Sequence, residues 1–448
     1  MRHVSRHSRR LLWWASLPAG TFMLFSLSLR APIVAVAPLV GDIRQSLGFS
    51  NASTGLLTSI PVLCFGLAAP LASQLLRRLG INHAAIYCLV GIGAGSVVRS
   101  SGTVAGAFVG TALIGLAMTI GNTAVPMLIG REYRHQAALL MGVYTATVNT
   151  SVTVASAFVV PIAQRAGWQV SLALWGVAAF VVVLLWWVVY PPGVRGPRPF
   201  IRERAGLDPA PPQHANVARA RPGPGSVGAG SPGAPRARSV WRWPVAWLLA
   251  AAFAGHTLGY YAITSWLPSY LADARGMTAS GAGYASSLFQ ALGIVGPLLV
   301  PILVNTTGMS TRRLMVLISG CWIAMPLGLV VAPQWWVLWS VLGGAAQGAY
   351  FTALFMVIIR RSRTVDENRR LTSMVQTIGY SVAATGPVLM GWLHDTLGVW
   401  RPAFLVVTAM LLVMAACSVL AVTDTSTPDG PAPHPVAPDD APATVGAV

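Results

Sequence analysis

The chain is poor in charge, and the charge that it carries is one-sided. Among its 448 residues there is no lysine, so all 30 basic residues are arginines, against 12 acidic residues. Charged residues make up 9% of the sequence and hydrophobic residues 54%, whereas a soluble globular protein has about 25% charged residues. The arginines stand in short clusters between long apolar runs, which argues against nucleic acid as a partner. This balance predicts an integral membrane protein in the lipid bilayer.

Motifs for metal, cofactor and covalent chemistry are also missing. The four cysteines lie within apolar runs and form no CxxC pair, which excludes a disulfide framework and a zinc site. The sequence has no P-loop, HExxH or GxSxG motif. We therefore expect no enzyme activity, no cofactor, no bound metal and no ATP hydrolysis.

Long apolar runs dominate what is present. A spanning helix needs about 20 mostly apolar residues, and glycine and proline are tolerated within such helices. Twelve runs meet this requirement, which predicts an all-α integral membrane protein with twelve transmembrane helices. The runs are 12–39, 53–76, 83–99, 103–129, 137–163, 168–190, 243–271, 279–304, 314–332, 335–359, 371–393 and 401–422.

The arginines predict the orientation of these helices. With the N-terminus placed in the cytoplasm, most of the arginines fall on the inner side, as the positive-inside rule requires. The few left on the outer side are Arg44, Arg99, Arg165, Arg275 and Arg401. An even number of spans then leaves both termini in the cytoplasm, in the plasma or inner membrane.

Composition divides the chain into five segments. A basic tail, 1–11, precedes a six-helix half at 12–190, and a second six-helix half occupies 243–422. The segment 191–242 between them is rich in Arg, Pro and Gly, and 423–448 is rich in Pro, Ala and Asp. Such sequences bury too little apolar surface to offset the entropy of ordering, so we expect a disordered cytoplasmic linker and a disordered tail.

The two halves resemble each other. At an offset of 228 residues several glycines of the first half match glycines of the second, and at 229 one more pair follows. The ordered pairs are Gly48 with Gly276, Gly55 with Gly283, Gly80 with Gly308, and Gly115 with Gly344. Six plus six spans of this kind are typical of secondary transporters, which bind their solute near the midplane between two rocking halves.

Four segments also resemble one family. They are Leu29-Arg-Ala-Pro32 in the first span, Gly259–Tyr270 in the seventh, Leu288–Pro301 in the eighth, and Gln376–Gly391 with His394-Asp395 in the eleventh. Together they are similar to the major facilitator superfamily, in particular its cyanate permease and 2-nitroimidazole transporter group. The resemblance implies the major facilitator fold and transport of a small molecule by alternating access.

Arg30 is the one charge predicted to lie deep in the membrane. It precedes Asp42, which should mark the outer interface, by 12 residues, or about 18 Å of helix. An arginine at that depth costs several kcal/mol unless it faces a polar cavity or a partner. Because no acidic residue lies in the middle of a span, a bound anion is the simplest partner. The alternative is a structural arginine that bonds to helix carbonyls.

His256 is the other titratable group expected near the midplane. Tyr260 follows it by four residues and shares its helical face. The imidazole can bind solute or carry a coupling proton between pH 5 and 8, so His256 is the candidate for proton coupling. The alternative is a packing residue. Relatives in the resembled group often have glutamine at this position.

Polar side chains in other spans complete the candidate binding site. Gln376 and Tyr380 stand four residues apart and share a face, and an amide can both donate and accept hydrogen bonds. Each of the amides can instead bond to a neighbouring helix. The further candidates are Gln290, Asn122 and Asn149.

These observations leave three hypotheses. The first is a monomeric secondary active or facilitative transporter of a small polar, anionic solute such as cyanate, with H⁺ as a candidate coupling ion. The second is an exporter of small heteroaromatic drugs such as nitroimidazoles. The third is a receptor or scaffold that moves nothing, whose function would depend on the linker between 196 and 236.

Overall fold

The computed structural model describes residues 20–132, 137–190, 240–362 and 365–423. The predicted tail 1–11, nearly all of the linker and nearly all of the C-terminal tail lie outside these residues. Fifteen α-helices occupy the described part of the chain. They are α1 (20–28), α2 (Ala31–Val34), α3 (Val40–Leu47), α4 (Asn51–Leu67), α5 (Ala69–Leu79), α6 (Ile81–Arg99), α7 (Val104–Glu132), α8 (Ala137–Val189), α9 (Pro244–Arg275), α10 (Ala279–Thr307), α11 (Thr311–Val331), α12 (Trp336–Arg361), α13 (Val365–Ala383), α14 (Thr385–Leu397) and α15 (Arg401–Thr423).

The helices confirm the predicted all-α membrane protein, and every predicted span has a helical counterpart. Within the described residues, eight helices are long and apolar enough to cross a membrane, or nine if the bent pair α4 and α5 forms one span. The long helix α8 is interrupted at Gly167, where φ is 85°, so its two arms correspond to the predicted fifth and sixth spans. The number of twelve crossings and the cytoplasmic position of both termini stay predictions.

Proline accounts for the interruptions of the first span. Pro32 has no N–H to donate to the carbonyl of Ser28, and its ring disfavours a continuous helix over the preceding turn. Residues Leu29 and Arg30 accordingly form a turn between α1 and α2, and a short 3₁₀ helix at Ala37–Leu39 contains Pro38. The first span is therefore a broken helix at the depth where Arg30 was expected.

The core is divided between the two halves. One large apolar cluster fills the second half, and two smaller clusters fill the first half. A fourth, small cluster joins the halves: Val62 from α4 packs with Leu258 and Tyr261 from α9 and with Ala383 and Ala384. Large apolar side chains remain exposed on the outer faces of most helices, as a lipid environment requires.

The glycine pairs found in the sequence occupy equivalent places in the two halves. Gly48 and Gly276 both end a helix with positive φ, of 68° and 63°. Gly55 lies against the Pro387 carbonyl of the other half, and Gly283 lies against the Ser156 carbonyl of the other half. These pairs therefore support the duplication that the sequence offsets predicted.

The two halves contact each other on the side predicted to face outward. The Asp395 carboxylate accepts hydrogen bonds from the side-chain amide of Asn51 at 2.6 Å and from the backbone N–H of Ala52 at 2.9 Å, at the N-terminus of α4. Ser265 Oγ donates to Thr58 Oγ1 at 2.9 Å. These contacts join α4 in one half to α9 and α14 in the other at the end predicted to face outward.

Candidate functional site

Arg30 extends from the break in the first span to the opposite half. Its Nη1 donates a hydrogen bond to the hydroxyl oxygen of Tyr261 on α9. The guanidinium carbon lies 5.4 Å from the ring centre of Phe65 and 5.8 Å from that of Tyr261, within the range of cation–π attraction. Arg30 therefore bonds neither to a helix carbonyl nor to a carboxylate among the described contacts, and its side chain faces the other half.

Five aromatic residues surround Arg30, and we call them the aromatic cage. Three tyrosines besides Tyr261 lie close enough to interact electrostatically with the guanidinium. Arg30 and these three tyrosines are partly accessible, whereas Phe65 and Tyr261 are buried. The cage consists of Phe65, Tyr144, Tyr260, Tyr261 and Tyr380.

The rings of the cage contact one another across the interface between the halves. Phe65 of α4 meets Tyr380 of α13 edge to face, with ring centres 5.7 Å apart. Tyr260 and Tyr261, neighbours on α9, have ring centres 5.1 Å apart at 75°. Since both halves contribute rings and only the first contributes the cation, the arrangement suits a flat solute held between the halves.

Gln290 positions one side of the cage. Its Nε2 donates to Thr264 Oγ1 at 3.1 Å, and its Oε1 accepts from the Tyr260 hydroxyl at 3.4 Å. The glutamine is buried, with 2% of its surface exposed. It connects α10 to α9 and orients Tyr260 towards the cage.

His256 lies in the core of the second half, away from Arg30. Its ring stacks on Tyr350 with centres 4.6 Å apart at 25°, and the ring of Trp322 lies at 6.3 Å. The side chain is buried, and its Nδ1 has no hydrogen-bond partner among the described residues. The structure thus gives His256 an aromatic packing environment and brings it into no described contact with the cage.

The remaining candidates divide between the cage and the helix interfaces. Asn122 accepts a hydrogen bond at 3.3 Å from the hydroxyl of Tyr144, which is a member of the cage. Asn149 instead donates to the carbonyl of Gly293 at 3.3 Å, which joins α8 to α10 of the other half. Gln376 is partly buried on α13, one turn before Tyr380.

Sequence reasoning missed three members of the cage and the burial of one arginine. Tyr261, Phe65 and Tyr144 lie in apolar runs and have no sequence feature that separates them from packing residues, although Tyr261 adjoins Tyr260. Arg99, expected on the outer side, is buried with 1% of its surface exposed.

Comparison with known proteins decides the family. The sequence profile of the Major Facilitator Superfamily matches residues 17–333 and 307–444. The chain belongs to the Major Facilitator Superfamily. As a superfamily member it is a multi-pass cell-membrane transporter rather than an enzyme.

Three known proteins are similar to this superfamily member over most of its length. The 2-nitroimidazole transporter of Escherichia coli (strain K12) is 31% identical over 409 residues, covering 91% of this chain and 95% of that protein. The cyanate transport protein CynX of the same organism is 24% identical over 379 residues, covering 84% and 89%. A solved bacterial homologue of the human lysosomal transporter Spinster, inward-facing and occupied, superposes with a TM-score of 0.68 at 14% identity, covering 91% and 96%.

Proposed function

We propose that this transporter moves a small, flat solute that presents two adjacent hydrogen-bond acceptors, such as a nitroimidazole, by alternating access between its two halves. The observation that supports this most is the position of Arg30 inside the aromatic cage, partly accessible and facing the opposite half. The cation and the rings together match a ring that bears a nitro group.

The chemistry of the cage favours such a solute. A guanidinium offers parallel N–H donors to two acceptor atoms on one group, and the two oxygens of a nitro group are spaced in this way. Aromatic rings attract a flat ring through offset stacking and edge contacts. The tyrosine hydroxyls add donors and acceptors for ring nitrogens. The relative with the higher identity is named for 2-nitroimidazole transport.

A cyanate-like anion is the second candidate. Arg30 carries a positive charge that no described carboxylate contacts, so an anion would gain from binding next to it. The cyanate transport protein CynX is a more distant relative over most of this chain. A linear anion would bind Arg30 but would make few contacts with the aromatic rings of the cage. The ring-bearing solute is therefore the first proposal.

Coupling to a proton is a further proposal. The cage contains no carboxylate among the described residues, so a proton would have to travel with the solute or on an imidazole. His256 is the imidazole proposed from the sequence, while its stacking on Tyr350 favours a packing role. We propose a monomer as the transporting unit, because the cage is completed by the two halves of one chain.

Uptake by the purified transporter in proteoliposomes tests the proposal. Labelled 2-nitroimidazole and labelled cyanate are compared in the wild type and in Tyr260→Leu and Tyr380→Leu, with Tyr284→Leu as the matched control. Tyr284 is 49% exposed on α10 and lies outside the cage. We expect saturable uptake of 2-nitroimidazole that falls at least tenfold in the two cage variants and stays unchanged in Tyr284→Leu. Cyanate uptake that withstands both cage variants would support the anion proposal instead.

A further inference from the structure

The break in the first span leaves the backbone carbonyl of Pro32 without its helical donor. In a continuous α-helix the N–H of Val36 would donate to the carbonyl of Pro32. In this chain that N–H donates to Ile33 at 3.4 Å, and the N–H of Ala35 donates to Ala31 at 2.9 Å. Because Pro32 is buried, its carbonyl needs a donor within the protein.

Arg99 supplies that donor from a different helix. It is the last residue of α6, and its Nη1 donates to the Pro32 carbonyl at 2.6 Å. The backbone at Arg99 is held against α7: a Cβ added at Gly110 would lie 2.3 Å from the backbone nitrogen of Arg99. The backbone of Arg99 is therefore held by its own helix pair, while its guanidinium bonds to the segment two residues after Arg30.

The direction of the Arg99 side chain is unusual for its position. An arginine at the end of a membrane helix normally extends to the interface, where water solvates its charge. Arg99 adjoins the outer loop, yet it is only 1% exposed, and its Nε and Nη2 have no hydrogen-bond partner among the described residues. A buried charge with two unpaired donors lowers the stability of the fold. This cost argues that the bond from Arg99 to Pro32 has a functional role.

We propose that Arg99 is a positioning residue for solute binding: it holds the broken first span in the conformation that directs Arg30 into the aromatic cage. This inference rests on the proposed function, in which Arg30 binds the solute. It assigns Arg99 no contact with the solute itself. Loss of Arg99 should therefore weaken binding only as long as Arg30 is present.

Steady-state uptake of 2-nitroimidazole separates positioning from general stability. The variants are Arg99→Met, which removes the donor, and Arg99→Lys, which keeps a charge and a donor for Pro32. The matched control is Arg361→Met, because Arg361 also donates to backbone carbonyls, those of Ala421 and Val422 at 2.8 and 2.9 Å, but in the second half. Each change at Arg99 is made alone and together with Arg30→Gln.

We expect Arg99→Met to raise KM at least tenfold while the maximal rate per folded transporter changes less than twofold. Arg99→Lys should restore part of the wild-type KM, and Arg361→Met should leave KM unchanged. Combined with Arg30→Gln, the methionine change should have no further effect on solute binding. A lowered maximal rate without a change in KM, or an equal further loss in the Arg30→Gln background, would overturn the inference.

A second readout does not depend on the solute. Hydrogen exchange of the amides in 29–39 should become at least tenfold faster in Arg99→Met and remain at the wild-type rate in Arg361→Met. If the wild-type protein transports neither 2-nitroimidazole nor cyanate, the proposed function is wrong. The hydrogen-exchange measurement then tests the positioning role of Arg99 by itself. Unchanged exchange in 29–39 would then contradict its positioning role.

Discussion

At the scale of single residues, the transporter is organised around one cation and the rings that surround it. Arg30 gains a hydroxyl partner from Tyr261 and cation–π contacts with Phe65 and Tyr261, which together reduce the cost of a charge inside the membrane. None of these partners neutralises the charge. The guanidinium consequently remains able to bind acceptor atoms of a solute.

The geometry of the guanidinium should matter as much as its charge. Arg30→Lys keeps the charge but loses the planar pair of donors, and Arg30→Gln loses the charge as well. Since a hydrogen bond to a charged group contributes about 1.5–3 kcal/mol, we expect both variants to reduce solute affinity by roughly 10- to 150-fold. Competition binding with 2-nitroimidazole measures this, and a lysine variant with wild-type affinity would show that charge alone suffices.

His256 provides a test between packing and proton transfer. Its stacking on Tyr350 predicts that His256→Gln loses an aromatic contact of about 0.5–1.5 kcal/mol and so melts at a lower temperature. We expect KM to stay within about twofold and the pH dependence of uptake to stay unchanged. If the variant instead loses the pH dependence between pH 5 and 8, the imidazole carries the proton.

The sequence predicted part of this site for physical reasons. The expected depth of Arg30 and the lack of an intramembrane carboxylate made it a candidate for solute binding, because a charge inside a membrane span is rare. The positions of Tyr261 and Phe65 depend on how two halves far apart in sequence come together, and no local pattern encodes that. For the same reason, helical periodicity placed His256 and Tyr260 on one face but did not predict that only Tyr260 reaches the cage.

At the scale of helices, broken spans and close glycine contacts position the site. Two helices meet at the outer end of the site: α4 from the first half and α14 from the second. Their backbones approach closely where Gly55 faces the carbonyl of Pro387. Such a contact is compatible with the closed outer end and is lost when the halves separate there. A side chain at Gly55 should consequently favour separation.

Gly55→Ala tests this contact. The added Cβ would lie 2.7 Å from the Pro387 carbonyl oxygen, and overpacking of this kind costs about 1–3 kcal/mol. We expect transport to fall roughly 5- to 150-fold, while solute binding and the yield of folded protein remain near wild type. Gly320→Ala on α11, where no atom lies within 4 Å of the added Cβ, is the control. Undiminished transport by Gly55→Ala would contradict the closure.

At the scale of the whole molecule, the protein has the all-α fold of its superfamily, and the division into two six-helix halves joined by a long central segment is the prediction made from the sequence. The fold class was predictable because hydrophobic length, arginine asymmetry and the glycine offsets all describe the same architecture. The bend between α4 and α5, of 59°, was not predicted because the apolar run continues through it, although Pro70 in the first turn of α5 favours a break there. The position of each half relative to the other likewise depends on tertiary contacts.

The central linker should act as a tether. Replacing residues 196–236 with a Gly/Ser segment of equal length keeps the reach between the halves and removes the arginines and prolines. We expect uptake within about twofold of the wild type, measured per folded transporter in proteoliposomes. Complete loss of function with an intact fold would favour the receptor or scaffold hypothesis, in which this segment binds a partner.

The most direct test of the account is equilibrium binding of 2-nitroimidazole to the purified transporter, measured by titration calorimetry. Wild type, Arg30→Gln and the control Arg361→Met would be compared at equal folded concentration. The account predicts one saturable site in the wild type and in Arg361→Met, and binding at least tenfold weaker in Arg30→Gln. Equal binding by wild type and Arg30→Gln would contradict the central claim that Arg30 in the aromatic cage binds the solute.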